Sequence, residues 1–110
     1  MARRRISPPR AVSDALQVLG NQVRMARTER QITMRILAQR AGVDPRVVSA
    51  VERGDPSVSI GNALAVARAA GVPLFGAENP EQLANLRKHS SALVALLPSR
   101  VRKPSLGGFP

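Results

Sequence analysis

The stretch TMRILAQRAGVDPRVVSAVERG, residues 33–54, decides the fold of this 110-residue chain. It predicts two short helices joined by a turn of three residues. Thr33 is placed to cap the first helix, and Gly42 supplies the positive φ that ends it. Asp44 and Pro45 are suited to start the second helix, because Asp caps helix N-termini and Pro lacks only an N–H that has no intrahelical acceptor there.

The packing of two helices joined by so short a turn restricts a few positions. The contact position on the first helix has to be small, and the second helix needs apolar residues that seat it on the core. The residues that meet these requirements form the structural motif, and they are Ala38, Gly42, Val48 and Val51.

Apolar residues spaced three and four apart predict three further helices around this pair. These helices are 13–31, 60–70 and 80–97. The spacing of the apolar residues predicts that Arg27 lies on the outer face of the first helix and Leu64 on the inner face of the fourth. A break is expected in the last helix near Ser90-Ser91. No segment alternates apolar and polar residues, as a half-buried strand does, for more than four residues. The predicted fold class is therefore all-α.

The composition excludes several kinds of site. The chain has no Cys, Trp or Tyr and one His, so disulfides, a Cys-based zinc site and a thiol nucleophile are ruled out. Few groups titrate near neutral pH, and no Gly-rich phosphate loop is present. We therefore expect no enzymatic activity, no catalytic residues, no metal and no cofactor.

The charge lies mainly at the two ends of the chain. Lys and Arg number 17 against 7 Asp and Glu, a net charge of +10. Basic, Pro-containing ends bury too little apolar surface to fold alone, so we expect disordered arms that either solubilise the protein or bind polyanions. The predicted organisation is a basic arm, a helix-turn-helix domain, a C-terminal helix and a basic tail, at 1–12, 13–76, 77–97 and 98–110.

Residues 33–54 resemble the helix-turn-helix of the Xre family, the phage Cro and repressor type of bacterial DNA-binding proteins. The resemblance extends through Glu52-Arg53-Gly54 and the fourth helix, and covers about residues 14–75. It implies a five-helix repressor-like domain with the helix-turn-helix at helices 2 and 3. We expect a cytoplasmic, nucleoid-associated bacterial protein with no membrane contact, since neither a signal peptide nor a membrane helix is apparent.

The resemblance also implies which residues contact double-stranded DNA. The second helix of the motif enters the major groove, and its candidate base contacts are Pro45, Arg46, Ser49 and Ala50. Arg46 is suited to a bidentate pair with guanine. The candidate phosphate contacts are Thr33, Met34, Arg35, Arg40 and Arg53. Many family members have Gln where this chain has Met34, whose side chain cannot donate a hydrogen bond.

Family members typically bind pseudo-palindromic operators as homodimers, with half-sites about 34–36 Å apart. The candidate dimer contacts are Val72, Leu74, Phe75, Leu83 and Leu86. The leucines of the last helix are equally suited to packing within the subunit.

Two further stretches, residues 53–60 and 97–103, resemble antitoxins of the HipB type, which repress their own operon and bind a HipA-like kinase toxin. The candidate toxin contacts are Arg100, Arg102 and Phe109. Two alternatives stay open: a free-standing regulator of the same family without a toxin partner, and a protein-interaction module with weak DNA binding.

Overall fold

The computed structural model describes residues 7–101, which form five α-helices and no β-strand. The helices are α1 (Arg10–Glu29), α2 (Met34–Ala41), α3 (Pro45–Glu52), α4 (Ile60–Ala70) and α5 (Pro80–Ala95). The predicted all-α class is confirmed. The chain divides into two compact units between Glu78 and Asn79, the first containing α1–α4 and the second α5.

Side chains cap four of the helices, and the predicted caps of α2 and α3 are among them. Each cap accepts a hydrogen bond from a backbone N–H two or three residues further on, which satisfies a donor that the helix itself leaves open. The capping residues are Thr33, Asp44, Ser59 and Asn79. Gly42 ends α2 with a φ of 74°, and the three residues 42–44 connect α2 to α3.

The core of the first unit is small and aliphatic. Its largest fully buried side chains are Leu37, Val23, Val48 and Val66. The motif residues Ala38, Val48 and Val51 are all buried at the contact of α2 and α3 with the other helices. None of the helices within residues 7–101 has both the length and the hydrophobicity needed to span a membrane.

Three local expectations about the helices are corrected. Helix α1 starts at Arg10 instead of residue 13, because the Ser13 N–H donates to the Pro9 carbonyl and closes the first turn there. Helix α5 continues through Ser90, whose hydroxyl donates to the Arg87 carbonyl within the helix, and ends at Ala95.

Most of the predicted basic arm and tail, residues 1–6 and 102–110, lies outside the described residues.

The predicted phase of α4 is corrected at one position. Val66 is fully buried, whereas Leu64, predicted to point inward, is half-buried. Helix α4 is apolar around most of its circumference, so its pattern gives little contrast between an inner and an outer face.

Gly20 lies where the backbone of α1 packs directly against the end of α3. A Cβ atom at this position would lie 2.8 Å from the carbonyl oxygen of Glu52 and closer still to that of Val51. Both carbonyls belong to the end of α3, and backbone atoms move less readily than flexible side chains. A glycine is therefore required for α1 to contact the C-terminal end of α3.

We expect Gly20→Ala to lower the free energy of unfolding by about 1–3 kcal/mol, because the added methyl group overpacks a rigid contact. The measurement is urea denaturation followed by circular dichroism, since the chain has no Trp or Tyr. Gly61→Ala is the matched control: nothing lies within 4 Å of the place its methyl group would take, so stability should be equal or slightly higher. Equal stability of both variants would contradict the close approach.

Candidate nucleic-acid interface

The N-terminal end of α3 is defined by Asp44 and Pro45. The Asp44 carboxylate accepts a hydrogen bond from the Arg46 N–H at 2.8 Å, and Pro45 occupies the first helical position. Pro45 and Arg46 are exposed, while Ser49 and Ala50 are half-buried one turn further along. The four candidate base contacts thus lie on the part of α3 that the core does not cover.

The C-terminal end of α3 is anchored to α1 by an ion pair. Arg27 contacts both oxygens of Glu52, with Nε 2.6 Å from Oε2 and Nη2 3.1 Å from Oε1. The two side chains retain 15% and 5% of their exposure. The hydrogen bonds with Glu52 raise the pKa of Arg27 above its ordinary value. The expectation that Arg27 points outward is wrong, because the bidentate carboxylate draws it inward.

Further hydrogen bonds reinforce this anchor. Arg27 Nη1 also donates to the Ile32 carbonyl at 3.1 Å, in the segment that leads from α1 to α2. Gln17 Nε2 donates to the Glu52 carbonyl at 3.2 Å. The sequence predicts neither of these contacts with Glu52, since 25 and 35 residues separate Arg27 and Gln17 from it and no local spacing connects them.

Arg46 is exposed over 92% of its side chain and contacts Asp44. Its Nε lies 3.2 Å from Oδ1 and its Nη2 3.5 Å from Oδ2. The pKa of Asp44 is lowered, first by the hydrogen bond from the Arg46 backbone N–H and then by that from its side chain. The side chain best suited to read guanine therefore has an acidic neighbour.

Ser49 is also contacted by an arginine. Arg53 Nη1 donates to the Ser49 hydroxyl oxygen at 2.7 Å, and Arg53 Nη2 lies 3.8 Å from an oxygen of Asp55. Asp55 in turn accepts hydrogen bonds from the backbone N–H and hydroxyl of Ser57. This chain of contacts connects α3 to the loop that follows it.

A shallow depression of about 270 Å³ lies between the outer side of α3, this loop and the start of α4. It is lined by Arg46, Val47, Ala50, Ser57, Val58, Ser59 and Asn62. The candidate base contacts Arg46 and Ala50 form one wall, and the N-terminal end of α4 forms the other.

The candidate phosphate contacts lie at the start of α2 and around α3. Thr33 Oγ1 accepts a hydrogen bond from the Ile36 N–H. The N–H groups of Met34 and Arg35 belong to the first turn of α2 and have no acceptor within the helix. The Met34 side chain packs against the core, so its contribution to a phosphate contact would come from its N–H. Arg35, Arg40 and Arg53 are exposed.

The candidate dimer contacts differ in exposure. Val72 is buried in the core cluster, and Leu74 is half-buried and packs against it. Phe75 is 80% exposed with a φ of 53°. In α5, Leu83 is half-buried and Leu86 is 44% exposed. Of the candidate toxin contacts, Arg100 is exposed, and Arg102 and Phe109 lie outside the described residues.

Comparison with protein families gives one match: the family model described as Helix-turn-helix covers residues 23–76. Residues 23–76 are therefore similar to the domains of this family. The match runs from the buried Val23 of α1, through α2 and α3, to the Phe75-Gly76 turn after α4. Searches of curated proteins and of solved structures found no match.

The helix-turn-helix family is a DNA-binding family and not an enzyme family, so the match supports a DNA-binding transcriptional regulator. The second helix of the motif is α3, whose two ends are anchored by Asp44 and by the Arg27–Glu52 pair. The geometry around α3 is therefore the geometry of a candidate DNA-reading surface.

We expect Glu52→Leu to destabilise the helix-turn-helix domain by about 3–5 kcal/mol, because it leaves the largely buried Arg27 without its counter-charge. The double variant Arg27→Met/Glu52→Leu should regain much of this loss, since two apolar side chains replace two charges. Arg24→Met, at an exposed position of α1, is the control and should change stability by less than about 0.5 kcal/mol. Urea denaturation measures all three, and a double variant less stable than Glu52→Leu would contradict the pairing.

Proposed function

We propose that the protein is a sequence-specific transcriptional repressor that reads the major groove of double-stranded DNA with the N-terminal half of α3. The observation that supports this is the contrast along α3. Its buried side and its C-terminal end are anchored to α1 and the core, while Arg46 at its start is 92% exposed. A helix anchored in this way can present polar side chains to base edges in a defined orientation.

Each candidate base contact has a distinct chemical role in this proposal. Arg46 donates two hydrogen bonds to the O6 and N7 atoms of a guanine. Ser49 acts as a donor, because its hydroxyl oxygen already accepts a hydrogen bond from Arg53 while its O–H hydrogen can turn toward a base. Ala50 and Pro45 make apolar contacts, for which a thymine methyl group is the suitable partner.

The phosphate contacts we propose position the domain without reading sequence. The N–H groups of Met34 and Arg35 at the capped start of α2 donate to one phosphate, where the helix dipole favours negative charge. Arg40 and Arg53 contribute positive charge to further phosphate contacts. Thr33 contributes by capping α2, because its hydroxyl orients the first turn.

We expect wild-type protein to bind a duplex selected from a random library about a thousandfold more tightly than a scrambled duplex at physiological salt. Arg46→Ala should weaken binding to the selected duplex by about 1–3 kcal/mol and leave binding to the scrambled duplex nearly unchanged, because it removes a base contact. Fluorescence anisotropy across a salt series measures both.

Arg40→Ala is the matched control for this experiment. Loss of a phosphate contact should weaken both duplexes alike and reduce the salt slope by about one unit. The opposing outcome is that Arg46→Ala and Arg40→Ala each bind the selected and the scrambled duplex with equal affinity and differ from wild type only in salt dependence. In that case α3 would not read sequence. The protein-interaction alternative would then be favoured.

We propose further that the repressor is a homodimer on a pseudo-palindromic operator and that α5 contributes to its interface. No residue of α5 is buried, although large apolar residues recur at its end. Leu83, Leu86, Ser90 and Leu93 follow the alternating spacing of three and four that pairs helices, and Leu97 lies just beyond the end of α5. Leu86 is 44% exposed and Leu93 is 53% exposed, so both side chains are accessible to a second copy of the chain.

We expect the wild-type protein to sediment as a dimer at micromolar concentration and Leu93→Glu to shift it to a monomer, because a charge would enter an apolar helix pair. Leu93 is 53% exposed, so the substitution should leave the fold of the chain unchanged. Lys88→Glu, on the same helix outside the leucine spacing, is the control and should remain dimeric. Monomeric wild type, or dimeric Leu93→Glu, would contradict the proposal.

The antitoxin role is the narrowest part of the proposal, and the resemblance of residues 53–60 and 97–103 to HipB-type antitoxins supports it. In this role the protein would bind a HipA-like kinase through its basic C-terminal end and repress the shared operon. Co-purification with the product of the adjacent gene tests it. Specific DNA binding without such a partner would favour the free-standing regulator.

A further inference from the structure

Asp44 makes more contacts than a helix cap requires. Its Oδ1 accepts from the Arg46 backbone N–H at 2.8 Å, which completes the cap. The same carboxylate also accepts from the Arg46 side chain, at 3.2 Å from Nε and 3.5 Å from Nη2. Asn or Ser would cap α3 about as well. The cap alone therefore does not account for a negative charge on the surface that faces DNA.

The carboxylate occupies one edge of the guanidinium group and leaves the other edge open. A guanidinium has five N–H donors in a planar fork. Nε and Nη2 of Arg46 point toward Asp44, whereas the terminal edge formed by Nη1 and Nη2 belongs to a side chain that is 92% exposed. The O6 and N7 atoms of guanine accept a bidentate pair from such an edge. One arginine can thus contact Asp44 and a guanine at the same time.

We propose that Asp44 is a positioning residue that increases the sequence specificity of Arg46, an inference that rests on the proposed reading of the major groove by α3. An oriented side chain loses less rotamer freedom when it meets guanine. The charge of Asp44 repels the phosphates of every duplex alike. Its net effect is to weaken binding to every duplex. The affinity falls least for duplexes with guanine at the matching position.

A competing role makes the opposite prediction. If Asp44 only competed with DNA for Arg46, its removal would strengthen binding to the selected duplex at least as much as binding to the scrambled one. The ratio of the two affinities therefore separates a positioning residue from a competitor, whereas the affinity for either duplex alone does not.

The experiment compares Asp44→Asn and Asp44→Ser with wild type, since both keep a capping side chain and remove the carboxylate. Dissociation constants are measured on the selected and scrambled duplexes used for Arg46→Ala, and thermal unfolding by circular dichroism verifies the fold. We expect both variants to bind the scrambled duplex more tightly, and the ratio of affinities to fall by about tenfold. In the Arg46→Ala background, Asp44→Asn should leave the ratio unchanged.

Asp14→Asn is the control for net charge, because Asp14 is exposed on α1. It should leave the ratio unchanged. An unchanged or increased ratio in Asp44→Asn would overturn the inference, as would an equal fall in the Arg46→Ala background. If Arg46→Ala lowers the ratio and Asp44→Asn does not, only the role of Asp44 fails. If Arg46→Ala leaves the ratio intact, the proposed reading by α3 fails and this inference fails with it.

Discussion

The contact between the end of α3 and α1 is the constraint on which the rest of the domain depends. Gly20 lets the two backbones approach, Gln17 donates to the Glu52 carbonyl, and Arg27 pairs with the Glu52 carboxylate. Because Arg27 also donates to the Ile32 carbonyl, the same guanidinium determines where the chain leaves α1 and enters α2. One arginine thereby couples the entry of the helix-turn-helix to the end of its second helix.

This coupling matters because α3 has only eight residues, fewer than an isolated helix needs to be stable in water. Its stability has to come from its two ends and its buried side. Asp44 caps the first end, the Arg27–Glu52 pair anchors the second, and Val48 and Val51 pack between them. What remains exposed is a short surface whose orientation the whole domain determines. A reading surface of this kind requires a rigid support more than it requires length.

The sequence predicts the parts of the fold that have local causes. The caps at Thr33 and Asp44 and the left-handed Gly42 follow from residue types at single positions, and the structure has them where expected. The pairing of Arg27 with Glu52 could not be predicted because it joins residues 25 apart, and an arginine at that phase of α1 is usually solvated. The same limit applies to α4, where a nearly uniform apolar surface could not distinguish Val66 from Leu64 as the buried residue. Tertiary packing decides which distant residues pair and which face of a uniformly apolar helix is buried. A local sequence pattern does not carry this information.

The acidic residues around α3 show how charge is arranged in a protein with ten more basic than acidic groups. Near a polyanion, an unpaired carboxylate would only oppose binding. Here each carboxylate of this region contacts an arginine, and the pairs are Asp44 with Arg46, Glu52 with Arg27 and Asp55 with Arg53. The buried pair orients the helix, and the two exposed pairs lie on the surface that we propose reads DNA. General attraction to DNA can come from the excess of positive charge elsewhere in the chain, so the acids near α3 can serve orientation instead. Under this arrangement, affinity and specificity are separable properties of the same domain.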